Sequence, residues 1–345
     1  MSELPRITPA PTTADRVDDA RLARVLREAG APGVLDALAE RLSPTDLQTL
    51  LLAAYRRRAA AVTPGRLLEQ YEHNRFAAPS AHAPADLARL EVLVHERLAG
   101  HGFAGLALSP VCPLGTNSAV ATVDQNKVLT TVRNTEVVAD ATNVLALECA
   151  VRRRELLRAS ARSRQRVRLG ATHRVVRAQL FDGPGMTAHF QLLALCTAGR
   201  DEGSFRFETA ALAEQIGLHL DVLDRVRALG PLASKVRVTV TDLTAGRHRA
   251  ALREGVLDSL AAAHPGTAFG FDDERARGRG YYTGACFEIR AATPGGVELS
   301  LGDGGFTPWT ADLLSNAKER LLISGLGLEL LWGRFRAAAE PTSGQ

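Results

Sequence analysis

Lysine is almost missing from this 345-residue chain: Lys127, Lys235 and Lys318 stand alone, and arginine supplies the rest of the 42 basic residues. With a formal net charge of only +4, that usage reads as compositional bias, alongside heavy alanine use, rather than as a nucleic-acid footprint. Cysteine is scarce too. Cys112, Cys149, Cys196 and Cys286 are widely spread, with no Cys-x-x-Cys pair and no clustered histidine. That spacing excludes a zinc ribbon, leaves no metal site expected, and fits a reducing cytoplasm better than a disulfide framework. No apolar run approaches ~18 residues, so no membrane span is expected. Residues 1–16 carry an early acid and no apolar leader segment, and read as a Pro/Thr-rich disordered tail.

What is present is ordinary for a globular protein, with 46% apolar and 23% charged residues and enough chain for one large or two ordinary domains. The densest charge is the arginine series 152, 153, 154, 158, 162, 164, 166 and 168. It could meet phosphates or form a solvated helix face; the sequence leaves both open.

Residues 17–83 read as a helical module. Gly30 stops a first helix, Ser43-Pro44-Thr45-Asp46 supplies an N-cap with proline and an acid behind it, and Thr63-Pro64-Gly65 repeats the start signal. From residue 84 the texture becomes mixed. Leu87, Leu90, Val94 and Leu98 form one stripe of a helix over 84–99. Strands are predicted over 103–108 and 127–131, mostly helix over 134–157, then strands over 166–178 and 186–197 around the turn Phe181-Asp182-Gly183-Pro184-Gly185. Helices follow over 207–228 and 249–263, with a half-buried strand over 235–242 between them. Strands over 281–291 and 297–301 meet across Pro294-Gly295-Gly296. Gly302-Asp303-Gly304-Gly305 reads as a tight backbone turn, with Trp309 as a candidate pocket cap. Residues 321–336 read as strand, glycines and helix, and 337–345 as a disordered tail.

The run Arg277-Gly278-Arg279-Gly280-Tyr281-Tyr282-Thr283-Gly284-Ala285-Cys286-Phe287-Glu288 resembles the histidine-binding signature of histidyl-tRNA synthetases. Residues 166–191, with Arg174 and His189-Phe190-Gln191, resemble motif 2 of the class II synthetases, and residues 323–331 resemble motif 3. Asn134-Thr135-Glu136 stands where that family places a Thr-x-Glu. The resemblance covers about 84–336 and implies an α+β fold, a class II synthetase-like antiparallel sheet flanked by helices and preceded by the helical module. It also implies a homodimer through the helix-strand element at 84–110.

By the same resemblance, Arg174 and Arg277 would face an α-phosphate, where fixed cations stabilise developing charge. Glu136 would hold an ammonium group, Gln191 would orient the substrate, Tyr281, Tyr282 and Gly284 would line the side-chain pocket, and Gly325 and Gly327 would pass under a nucleotide. The cofactor of such chemistry would be ATP with Mg2+, with no structural cofactor. Departures from the pattern are as informative. The motif 2 glutamate falls on Val176, the motif 3 arginine on Leu330, and the carboxylate that grips imidazole on Leu195. Each loss of a charged hydrogen-bond partner removes about 1.5–3 kcal/mol of binding. The chain ends soon after motif 3, and residues 178–188 contain no Lys or Arg, so tRNA charging is not expected. Three classes of function remain open. One is a non-charging paralogue that binds an amino-acid-type or nucleotide ligand and regulates a protein partner, like the regulatory subunits of ATP phosphoribosyltransferase. Another is an adenylate-forming ligase with a small-molecule or carrier-protein acceptor. The third is an RNA-binding module.

Overall fold

Alternating and doubly buried apolar runs build one eight-stranded sheet. A computed structural model describes residues 13–121, 123–179, 187–231, 233–276, 278 and 280–336. Its strands are β1 (Ala104–Gly105), β2 (Val111–Pro113), β3 (Thr135–Val137), β4 (Val167–Val176), β5 (His189–Arg200), β6 (Ser234–Asp242), β7 (Ala268–Phe271), β8 (Thr283–Ala292), β9 (Glu298–Thr307) and β10 (Glu319–Gly327). The sheet order is β1-β4-β5-β10-β9-β8-β6-β7, and β2 pairs with β3 separately. Pairing is antiparallel except at the two edges, where β1 joins β4 and β7 joins β6 in parallel.

Helices cover both faces. On one face the helix Pro84–Gly100 buries Leu87, Leu90, Val94 and Leu98, the stripe its spacing predicts, beside the helix Arg206–Val226. They pack over Leu193, Leu195, Val238, Val240, Phe287, Ile289, Leu322 and Leu326. On the other face the helix Ala141–Ala159 brings Leu145 and Cys149 onto Leu169, Ala171, Leu192, Ala194, Cys196, Leu321 and Ile323. The Asp140 carboxylate starts this helix by accepting from Thr142 N at 2.9 Å.

Two expectations are corrected. Residues 127–131 do not form a strand; a 3-10 turn at Gln125–Lys127 is followed by the isolated bridge Thr130–Glu136. Residues 134–157 are mostly helix as expected, with β3 preceding a helix that begins at Ala141. Gly302-Asp303-Gly304-Gly305 is not a turn. It lies inside β9, where a Cβ on Gly302 would come within 2.3 Å of Gly325 O, and one on Gly304 within 2.4 Å of Ser324 Cβ. Close approach of neighbouring groups, rather than a change of direction, requires these glycines. The turn read at 181–185 lies outside the described residues.

The chain divides into two units, residues 1–66 with 132–134, and residues 67–131 with 135–345. The first contains the helices Thr13–Glu28 and Pro44–Ala60, and Val34–Asp36 continuing into a wider turn at Ala37–Arg41. Ser43 caps the helix Pro44–Ala60 by accepting from Asp46 N at 3.1 Å. Neither Val34–Asp36, the turn after it nor the helix Pro44–Ala60 has a buried residue. Leu22, Val25, Leu50 and Tyr55 are exposed. Among the described residues no helix is long and apolar enough to cross a membrane.

Candidate functional site

The face of the sheet under the helix Ala141–Ala159 holds a cavity of about 230 Å³. Phe190 and Leu192 of β5, Ile323, Gly325 and Gly327 of β10, and Ser300, Gly302 and Asp303 of β9 contribute to its lining. Tyr281 and Tyr282, just before β8, form an aromatic wall, and Asp140, Thr142 and Arg177 complete it from the helix start and the end of β4. The tyrosine rings meet edge to face at 4.9 Å, and Tyr281 rests edge-on against Trp309 at 5.7 Å. Trp309 therefore supports the wall from behind.

Cross-strand register explains the depth. Ala171, Ala194, Gly325, Asp303 and Glu288 follow one another across β4, β5, β10, β9 and β8. Side chains opposite one another share a face, so three small residues leave a hollow beside two carboxylates.

Charge in the cavity is organised in pairs. Arg177 donates from Nε to Ala139 O at 3.0 Å and from Nη2 to Asp140 Oδ2 at 3.2 Å, with its guanidinium 5.2 Å from the Phe190 ring centroid. Asp303 Oδ2 accepts from the buried Arg275 Nη2 at 3.0 Å and from Tyr282 Oη at 3.4 Å. Burial pushes the Asp303 carboxyl up, Arg275 opposes this, and the Asp140 and Glu288 charges reinforce it. Burial, with Asp140 and Asp303 nearby, also pushes both phenols up, so Tyr281 and Tyr282 stay neutral hydrogen-bond donors.

The structure brings Tyr281, Tyr282, Gly325 and Gly327 to this cavity. It sends Arg174 and Gln191 to the reverse face of the sheet. They are register partners, and Gln191 bonds Glu91 of the helix Pro84–Gly100. Arg174 bonds His189 Nδ1 at 2.9 Å and pairs with Glu329. Leu195 lies on the same reverse face. The residues one step out of phase, Phe190 and Leu192, line the cavity instead, because strand side chains alternate.

Glu136 is fully buried away from the cavity lining. It accepts from Gly115 N at 3.0 Å, Asn117 N and Nδ2 at 2.7 Å each, and Gln125 Nε2 at 2.8 Å. Burial acts to raise its pKa, and these donors outweigh it to leave the value below the ordinary one. Gly284 has φ +68°, and a Cβ added there would point at the Phe205 ring, 3.7 Å away. Arg277 lies outside the described residues. The lining residues that sequence reasoning missed are Asp140, Arg177 and Asp303. Asp140 was signalled by its place before a helical run, Arg177 by its position three past Arg174, and Asp303 only by glycines that imitate a turn.

No family profile and no curated protein sequence matches this chain. Solved structures do. The chain is similar to the apo histidyl-tRNA synthetase of S. aureus, with TM-score 0.53, 15% identity, and coverage of 74% of this chain and 68% of that one. It is similar to the ATP phosphoribosyltransferase regulatory subunit/histidyl-tRNA synthetase of Bacillus halodurans, with TM-score 0.54, 15% identity, and coverage of 76% and 84%. The chain has the class II aminoacyl-tRNA synthetase fold. A putative threonyl-tRNA synthetase of Aeropyrum pernix gives TM-score 0.53 at 13% identity, covering 72% of this chain and 59% of that one. The expected α+β architecture, an antiparallel sheet flanked by helices with helices before it, is thus present.

Proposed function

We propose that this class II synthetase-like chain binds a small amino-acid-type ligand in the cavity and acts as a non-charging regulatory subunit for a protein partner. The observation that carries the reading is the convergence of Tyr281, Tyr282, Gly325 and Gly327 with Arg177 and Asp303 around about 230 Å³. That volume lies below the ~300–1,000 Å³ of drug-sized pockets and suits an amino acid. The Bacillus halodurans neighbour, described in part as a regulatory subunit, supports the regulatory role.

The charge of the described lining favours an amino acid over ATP with Mg2+. The lining guanidinium, Arg177, is already paired with Asp140; Asp303 adds a second negative charge; and Leu330 stands at the motif 3 arginine position. The described lining thus offers no unpaired cation to a phosphoryl or adenylyl transfer. The deciding experiment is ATP–pyrophosphate exchange with each amino acid, beside a thermal-shift screen of the same compounds. Stabilisation without exchange is expected, and a ligand at 100 times its Kd adds about 2.7 kcal/mol. Clear exchange would replace the regulator with the adenylate-forming ligase.

The reading includes a homodimer through the helix Pro84–Gly100. Val92 is 61% exposed there, in an apolar groove with Ala88, Leu93 and Leu229. Sedimentation of the full chain at the monomer mass would remove that part.

A further inference from the structure

We propose that Asp303 is the amine-recognising residue of the cavity, so that the ligand must present a protonated nitrogen to it and need not carry a carboxylate. This rests on the amino-acid-site reading above and names the group that the site selects.

Of the carboxylates at hand, Glu288 accepts from Arg290 Nη1 at 3.4 Å and is not part of the cavity lining. Glu136 has its oxygens occupied by backbone and side-chain donors of the segment around Gly115, Asn117 and Gln125. Asp140 accepts from Thr142 N and Oγ1 on Oδ1 and from Arg177 on Oδ2. Asp303 differs. Arg275 and Tyr282 both bind its Oδ2, and Oδ1 has no hydrogen-bond partner among the described residues. Its side chain is 50% exposed while lining the cavity. A carboxylate fixed by one oxygen and open at the other is a preorganised acceptor.

A second, independent observation is the space beside it. Gly325 is the register partner of Asp303 on β10. A Cβ on Gly325 would meet nothing closer than Leu193 O at 3.7 Å, an ordinary contact. At Gly302, Gly304 and Gly305, by contrast, a Cβ would come within 2.3, 2.4 and 2.6 Å of neighbouring atoms. Packing therefore requires glycine at those three positions and not at Gly325. The volume left empty there lies directly against Asp303. The tyrosine wall adds ring faces and phenols suited to a cation.

The test uses the full chain and three probe sets in calorimetry: L-amino acids, their decarboxylated amines, and their des-amino acids. Amino acids and amines are expected to bind, with des-amino acids at least tenfold weaker. Asp303→Asn, which keeps an acceptor for Arg275 and Tyr282, is expected to weaken the amines at least tenfold. Gly325→Ala is expected to keep the melting temperature of the unliganded protein and to abolish binding of all three sets. Equal binding of amines and des-amino acids, or unchanged amine affinity in both variants, would overturn the assignment to Asp303 while leaving an amino-acid site in place. Binding of ATP by a wild-type protein that takes none of the three sets would overturn the underlying reading as well.

Discussion

Arg153 and Glu319 form a two-point ion pair with both side chains at 0% exposure, Nε to Oε2 at 2.7 Å and Nη2 to Oε1 at 3.0 Å. Arg153 also donates to Ser163 O and Gln165 O. The pair ties the helix over the cavity to the first residue of β10, the strand that floors it. A residue from the arginine series is thus a buried bolt rather than a solvated charge. Arg152, Arg166 and Arg168 are engaged as well, by Glu148, Glu202 and Glu214. Removing one partner of such a pair strands the other. Glu319→Gln is expected to cost about 3–5 kcal/mol in urea unfolding, and an apolar pair at both positions to recover most of it.

Acid sensitivity should trace to His219. It is fully buried, its Nε2 meets Ser324 Oγ at 2.8 Å, and burial depresses its pKa to about 3. Between the unfolded value near ~6.5 and about 3, the unfolded chain binds a proton that the folded chain refuses. Stability should therefore rise with pH across that window, by up to ~1.4 kcal/mol per unit. His173, also depressed by burial, acts in the same direction. Unfolding curves from pH 4 to 7 should flatten in His219→Gln, which keeps a donor for Ser324.

The tyrosine wall should be sensitive to one methyl group. A Cβ on Gly305 would come within 2.6 Å of the Tyr282 ring. Gly305→Ala is expected to displace that ring, to cost about 1–3 kcal/mol by overpacking, and to lower affinity for the amine probes. Unaltered affinity would show that Tyr282 is not part of the binding wall.

Asp140 combines two tasks that substitutions can separate. Asp140→Ala removes the cap of the helix Ala141–Ala159 and the partner of Arg177. Asp140→Ser retains the cap alone. Loss of the cap is worth about 1 kcal/mol, so the alanine variant should melt lower than the serine variant, with Arg177 released in both.

The sequence made the helix stripe Leu87, Leu90, Val94 and Leu98 and the alternating β6 readable, because each has one wet and one dry face. It could not tell which residues of β5 point into the cavity. That strand is buried on both sides from Gln191 to Gly199, so no polar alternation marks its faces. A one-residue phase error then exchanges Gln191 for Phe190 or Leu192, and Arg174 for a residue of the opposite phase. Asp303 was hidden for another reason. Glycines demanded by crowding between strands carry the same letters as glycines demanded by a turn.

Glu136 illustrates what an interior carboxylate does when backbone amides enclose it. Its depressed pKa means that its contribution is complete above the ordinary glutamate range and fades only as pH falls through the lower folded value. The peptide around Gly115, Asn117 and Gln125 is thereby cross-braced from within. It should keep its shape in mildly sour buffer whether or not a guest molecule sits in the neighbouring hollow.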